Sequence, residues 1–305
     1  MMSENNESII QEIHRLKKEK DALILAHYYQ SLEVQDVADA VGDSFALAQK
    51  AQSADCENIV MCGVRFMAES AKILSPEKTV YQPNAEASCP MAEMVTPEDV
   101  LALREKYPEA AVVCYVNSTA AVKAVSDVCC TSSSAERIVR ALPNRQIIFV
   151  PDKNLGAWCA KAVPEKEIIL FSGFCPIHDG VTEEMAEAAR SAHPNAKFAV
   201  HPECRAEVVA YADCVGSTAE ILRYVRESAE PEFVIGTECG VAEILRREFP
   251  EKQIHLLRED FVCADMKKTT LMDLWRAVNG ELPPVTLPEE ELTGAKRALE
   301  RMVSM

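Results

Sequence analysis

PEKEIILFSGFC, residues 164–175, is one of three copies of a short pattern. The tripeptide Pro-Glu-Lys begins at Pro76, Pro164 and Pro250, at steps of 88 and 86 residues, and each copy runs into a short apolar segment. A cysteine follows each segment, at Cys89, Cys175 and Cys263, at steps of 86 and 88. Two further landmarks keep this register. Three apolar runs end in polar triplets: His27-Tyr28-Tyr29, Tyr115-Val116-Asn117 and His201-Pro202-Glu203. Three turns rich in hydroxyls, at Ser44, Ser132 and Thr218, precede helical patterns. Four landmarks at one period point to a triplicated unit rather than to chance identity of a tripeptide.

Each copy reads alike. In the second, AVVCYVN is a buried strand, TAAVKAVSD a helix, SSSAERIVRAL a second helix, QIIFVPD a strand, NLGAWCAKAV a helix and KEIILFSG the last strand. The strands are short unbroken apolar runs, the pattern of a parallel sheet covered on both faces. The expected fold is therefore α/β, with three homologous three-layer α/β/α units around a pseudo-threefold axis. The expected boundaries are 1–105 (with an amphipathic N-terminal helix carrying Ile9, Ile10, Ile13 and Leu16 on one face), 106–191 and 192–266. Residues 267–305 read as two helices, the second opened by Pro288 and acidic residues, packing back on the first unit.

Composition narrows the function. A formal charge of −16 over 305 residues excludes nucleic acid and anionic lipid as natural partners, since both need basic patches. No apolar run reaches membrane-spanning length, and the N-terminal residues lack the order of a secretory signal. Twelve cysteines without an export signal read as thiols in a cytoplasmic protein, and no CxxC pair occurs. Cys56, Cys62, Cys114, Cys159, Cys214 and Cys239 sit in or beside apolar segments, as small hydrophobes do.

Ligands of open parallel sheets sit at the carboxyl ends of the strands. The polar triplets fall there, and the hydroxyl turns fall at helix N-termini, where free N–H groups attract anions. Three such units facing one axis would bring three cysteines to a single centre. Three thiolates without a fourth suit an iron–sulfur cluster with one iron left to act as a Lewis acid, or a zinc ion with an open position. Glu203 is the one carboxylate in the triplets and a candidate general base and acid. Tyr29 and His201 are candidate catalytic partners. His27, Tyr115, Val116, Asn117 and Pro202 are candidate substrate contacts, with Ser44, Ser132 and Thr218 as helix caps or anion contacts. His178, three residues after Cys175, is a candidate contact to cluster or substrate. His14, His193 and His255 fall outside the register and read as surface residues, as do Lys267 and Lys268.

HYYQ at 27–30, GDS at 42–44, ASCPMAEM at 87–94, YVNSTAAVKA at 115–124, GFCPIH at 173–178, HPEC at 201–204, VGST at 215–218 and CADMKKTTL at 263–271 together resemble the quinolinate synthase family. The resemblance spans nearly the whole chain. It implies a 4Fe-4S cluster on Cys89, Cys175 and Cys263. It also implies condensation of iminoaspartate with dihydroxyacetone phosphate to quinolinate, with loss of phosphate and water, in NAD biosynthesis. The enzyme that makes iminoaspartate is then a partner. It gives Ser44, Ser132 and Thr218 carboxylate or phosphate contacts. Asp265 stands where many relatives carry Asn, and Cys263 is alone where some relatives have several cysteines. Two other readings remain at this stage: a cluster-dependent diphosphate reductase on triplicated α/β units, and an iron–sulfur sensor without catalysis.

Overall fold

The computed structural model describes residues 4–305. Its strands form three separate four-stranded sheets, and every strand pair is parallel. The first holds β1 (Ala22–His27), β2 (Ala40–Gly42), β3 (Asn58–Cys62) and β4 (Thr79–Tyr81). The second holds β5 (Ala111–Tyr115), β6 (Val128–Cys130), β7 (Gln146–Val150) and β8 (Glu167–Leu170). The third holds β9 (Lys197–Val200), β10 (Cys214–Val215), β11 (Glu232–Gly236) and β12 (Gln253–Leu256). The spatial order is the same each time: β2-β1-β3-β4, β6-β5-β7-β8 and β10-β9-β11-β12. This is the expected α/β architecture.

Most unbroken apolar runs became strands because both faces are covered, with the edge strand β8 a partly exposed exception. All five residues of β5 are buried, and Phe149 in the neighbouring β7, with Phe198 and Phe233 in β9 and β11 of the third sheet, is fully enclosed. Enclosing such a side chain contributes about 1.5–3 kcal/mol. The shared strand order also fixes where a ligand can sit. The second strand of each sheet lies on one side of the first, and the third strand lies on the other. A crevice therefore opens at the carboxyl ends between the first and third strands.

The recurring Pro-Glu-Lys has a structural cause. Lys78 Nζ donates to the carbonyl oxygens of Ala51 and Ala54, Lys166 Nζ to Leu142 and Asn144, and Lys252 Nζ to Val225 and Ser228. Ala54, Leu142 and Ser228 are the C-caps of the helices Ser44–Ser53, Ala135–Ala141 and Thr218–Glu227. Each lysine thus satisfies carbonyls that the end of its helix leaves free, just before the last strand of its sheet.

The chain ends divide between two sheets. The helices Glu4–Glu19 and Leu271–Asn279 pack together over the first sheet, burying Ile13, Leu16, Leu271 and Leu274 against Ile24, Ala26 and Val60. The helix Glu289–Ser304 does not follow them there. It lies chiefly against the helix Ala120–Ala124 and β6 of the second sheet, and also meets the helix Arg65–Leu74. Gly294 permits this: a Cβ there would stand 2.7 Å from the Ala124 carbonyl oxygen. The sequence expectation put both C-terminal helices on the first unit. An amphipathic pattern reveals that a face is buried, not what buries it.

Candidate active site

His27 ends β1, Tyr115 ends β5 and His201 follows β9 directly. These carboxyl ends face one cavity lined by residues of all three sheets and their loops. Its wall includes His27, Tyr29, Ser44, Cys89, Tyr115, Val116, Asn117, Ser132, Cys175, His178, His201, Glu203, Thr218 and Cys263. Each residue put forward from the sequence reaches this wall except Pro202, which is buried between His201 and Glu203.

Hydrogen bonds tie the three sheets together at this edge. Tyr115 Oη donates to Glu203 Oε1 at 2.7 Å. Tyr29 Oη lies 3.0 Å from Thr218 Oγ1 and 2.8 Å from Thr237 Oγ1. Gln30 Nε2 donates to the Met266 carbonyl at 2.7 Å. Gly240 allows the closest approach: a Cβ on it would stand 2.5 Å from the Tyr28 carbonyl oxygen.

The hydroxyl turns work differently from the expectation. The caps of the helices Ser44–Ser53 and Thr218–Glu227 are Asp43 and Ser217, one residue earlier. Ser44 and Thr218 are the first helical residues. Ser132 precedes the helix Ala135–Ala141, in a turn where Thr131 Oγ1 contacts the hydroxyls of Ser133 and Ser134. All three face the cavity; Asp43 and Ser217 cap the first and third helices, while the second begins at Ser134 without a side-chain cap.

The cysteines share one local design. Nearby backbone N–H groups favour the thiolate at each of the three: those of Met91 and Ala92 at Cys89, of Ile177 and His178 at Cys175, and of Asp265 and Met266 at Cys263. Each sulfur thus has two such amides, from residues two and three positions on. Burial pushes the Cys89 thiol up to about 12 and the Cys263 thiol to about 11, and raises Cys175 well above its ordinary value. A bound metal displaces those protons, because the thiolate is the ligand. Among the described residues the three sulfurs do not all fall within 4.8 Å of one another. Three thiolates on one zinc ion stand about 3.8 Å apart, given Zn–S bonds of about 2.3 Å. One zinc ion held by all three would need them closer together than they stand. Amides close to each sulfur suit an iron–sulfur cluster, whose potential hydrogen bonds to its sulfurs help to set.

Glu203 is the hub of the polar wall. It is 3% exposed, and His178 Nδ1 lies 2.8 Å from its Oε2 and 3.3 Å from Cys175 Sγ. Burial opposes its ionised form. His201, His178 and the Tyr115 hydroxyl outweigh that and hold the carboxyl below its usual range. Burial lowers His27 to about 3 and His201 to about 4, which leaves both imidazoles neutral near pH 7. Burial, reinforced by the Glu203 charge, raises the Tyr29 and Tyr115 phenols, so both keep their protons.

Two buried carboxylates escaped the sequence reading. Asp152 caps the helix Lys153–Ala162 and Glu238 caps the helix Cys239–Glu248. Asp152 Oδ2 accepts from the Cys175 backbone N at 3.2 Å, and Glu238 Oε1 accepts from the Cys263 backbone N at 3.3 Å. Burial raises both carboxyls. They stand 86 residues apart, so the register held the signal, but the first copy carries Val64 there and breaks the row. Lys267, expected on the surface, has its Nζ enclosed 3.3 Å from Glu238 Oε1.

Known proteins match this chain along nearly its whole length. Residues 11–304 match the family model described as quinolinate synthetase A protein. A quinolinate synthase of Caldicellulosiruptor bescii is 52% identical over 301 residues, covering 99% of either chain. Quinolinate synthases of Caldicellulosiruptor saccharolyticus and Methanoregula boonei are 49% and 50% identical, covering 98% and 97% of this chain and 99% and 97% of theirs. A match of that depth across the whole cavity-forming chain leaves no room for the reductase or sensor readings: this chain belongs to the quinolinate synthase family of enzymes.

Proposed function

We propose that the cavity condenses iminoaspartate with dihydroxyacetone phosphate to quinolinate, with Cys89, Cys175 and Cys263 holding a 4Fe-4S cluster. The observation that carries this is that three cysteines from three equivalent loops stand on the wall of one cavity. Held by three thiolates, such a cluster would supply a Lewis acid at its one iron without a protein ligand. Phosphate and two waters leave, so the atoms balance without oxidant or reductant.

The rest falls to side chains. Glu203 is ionised and takes and returns protons during tautomerisation and dehydration, within reach of Tyr115 and His178. His201 and His27, as neutral imidazoles, donate hydrogen bonds to carboxylates without adding charge. Tyr29, protonated and fixed by Thr218 and Thr237, orients the triose or passes a proton to it. Ser44, Ser132 and Thr218 present hydroxyls beside free helix N–H groups to the carboxylate and phosphate groups. Val116 and Asn117 complete the wall. Bringing two small anions together against a net charge of −16 is the entropic and electrostatic task of this edge.

No helix among the described residues is long and apolar enough to cross a membrane. Twelve free thiols suit the cytoplasm as the place of work, with an iminoaspartate-forming enzyme as supplier. Anaerobic assay tests the reading: the cluster-loaded protein should form quinolinate from the two substrates with no reductant added. An absolute requirement for an electron donor would overturn it.

A further inference from the structure

A second group of donors lies on the third sheet, away from the cavity. His193 ends the helix Glu183–Ala192, Glu232 opens β11 and His255 lies in β12. The parallel register pairs Val234 with His255, so Glu232 and His255 share one face of the sheet, one pleat apart. Glu232 Oε1 stands 2.9 Å from His193 Nδ1 and 3.2 Å from His255 Nε2. The two imidazoles stack, with ring centres 3.7 Å apart and planes 24° from parallel. His255 Nε2 is enclosed yet makes no aligned hydrogen bond.

Two nitrogens and a carboxylate oxygen, all within 4.8 Å, form a ready donor set. Donors around one zinc ion at about 2.0–2.1 Å stand about 3.0–3.5 Å apart, close to the spacing Glu232 already keeps from each imidazole, and the stacked rings would tilt to turn their in-plane lone pairs toward one point. All three side chains are half-buried, open enough for an ion to enter with water on its remaining positions. Arg246 is held on the Ile254 carbonyl by hydrogen bonds of 3.0 and 2.7 Å, and the acidic chain as a whole attracts cations.

The repeat shows that the fold does not require this trio. Tyr107, Gln146 and Ile169 stand 86 residues earlier, and Glu19, Asn58 and Tyr81 a further 88 earlier. Tyr107 likewise ends a helix and Gln146 opens a strand, yet neither earlier copy carries three metal donors. We propose that His193, Glu232 and His255 bind a divalent first-row transition ion of the kind that imidazole and carboxylate favour, and that the ion ties the helix end to β11 and β12.

Titration of the cluster-loaded protein with Zn²⁺ tests this, since loading occupies the cavity cysteines. The wild type should take up one equivalent and melt at a higher temperature with Zn²⁺ present. His193→Asn/His255→Asn should lose that uptake and that shift while forming quinolinate at the wild-type rate. Glu232→Gln, a milder change, should bind Zn²⁺ roughly 10–100-fold more weakly. Co²⁺ in the wild-type site should give a spectrum free of thiolate charge transfer. Equal uptake by the wild type and the double variant, no uptake by the wild type, or a thiolate signature from Co²⁺ would each overturn the proposal.

Discussion

Tyr29 and Glu203 occupy the same place, two residues past the start of the polar triplets in the first and third copies, 174 residues apart. The backbone around them is alike. Tyr29 N donates to His27 Nδ1 at 3.1 Å, and Glu203 N donates to His201 Nδ1 at 3.3 Å. The chemistry is not alike, because one position holds a protonated phenol and the other an ionised carboxylate. Past the third strands the same split recurs, with Val64 in the first copy and Glu238 in the third. The cysteines do not split: each keeps its sulfur and its two nearby amides. Symmetry was kept where a symmetric group would be held. It was lost where two different substrates must be told apart and protons moved.

The largest effects should follow from breaking the symmetric part. Cys89→Ser and Cys263→Ser should behave identically, each losing bound iron and sulfide and reducing quinolinate formation to background under anaerobic assay. Full iron content and turnover in either variant would show that the three positions are not equivalent.

Breaking the asymmetric part should spare the iron. Glu203→Gln should lower kcat by about 10²–10⁴, the usual contribution of a positioned general acid or base, with iron content unchanged. Tyr29→Phe should cost less, since it removes hydrogen bonds worth about 1 kcal/mol each. A larger loss from Tyr29→Phe than from Glu203→Gln would reverse the roles assigned to the two copies.

Glu238→Gln probes the split beyond the third strand. It should keep the cap on the Gly240 N–H, 2.7 Å away, but weaken the hold on the Cys263 loop and the ion pair with Lys267. Supporting groups of this kind are worth about 10–100-fold in metal retention, so iron should leave faster under chelator challenge. Asp152→Asn should act alike through the Cys175 loop. Val64→Ala, at the matching place in the first copy, should not change the release rate through any such bond, since no carboxylate braces Cys89 from there.

The sheets and the cavity wall were legible in the sequence for one reason: repetition. A single apolar run such as QIIFV is ambiguous, but three runs in one register with polar ends are not. Glu238 and Asp152 were harder to see because their role depends on a cysteine loop about 25 residues on, and Val64 interrupts their row. The partnership of His193 with His255 leaves no trace in the register, because neither earlier copy repeats it. The seat of the helix Glu289–Ser304 was hidden as well, since only the close approach of Gly294 to Ala124 reveals it.

The cap positions mark the finest grain of the comparison and the smallest expected effect. In GDS and GST either residue of the final pair can cap a helix, and sequence pattern does not choose between them. Backbone conformation does: Asp43 and Ser217 are extended, and their side chains accept from Ala46 N and Glu220 N. Ser217 is 1% exposed and off the cavity wall, whereas Thr218 is on it, 3.0 Å from the Tyr29 hydroxyl. In the third copy neighbouring residues therefore divide the work, Ser217 serving the helix and Thr218 the site, whereas Asp43 in the first copy caps its helix and also reaches the wall. Ser217→Ala should cost about 1 kcal/mol and lower the melting temperature by about 2–4 °C, with KM unchanged. Thr218→Val should raise KM while moving the melting temperature less. If Ser217→Ala raised KM more than Thr218→Val, the cap would belong to the site after all, and the division of labour within this turn would be wrong.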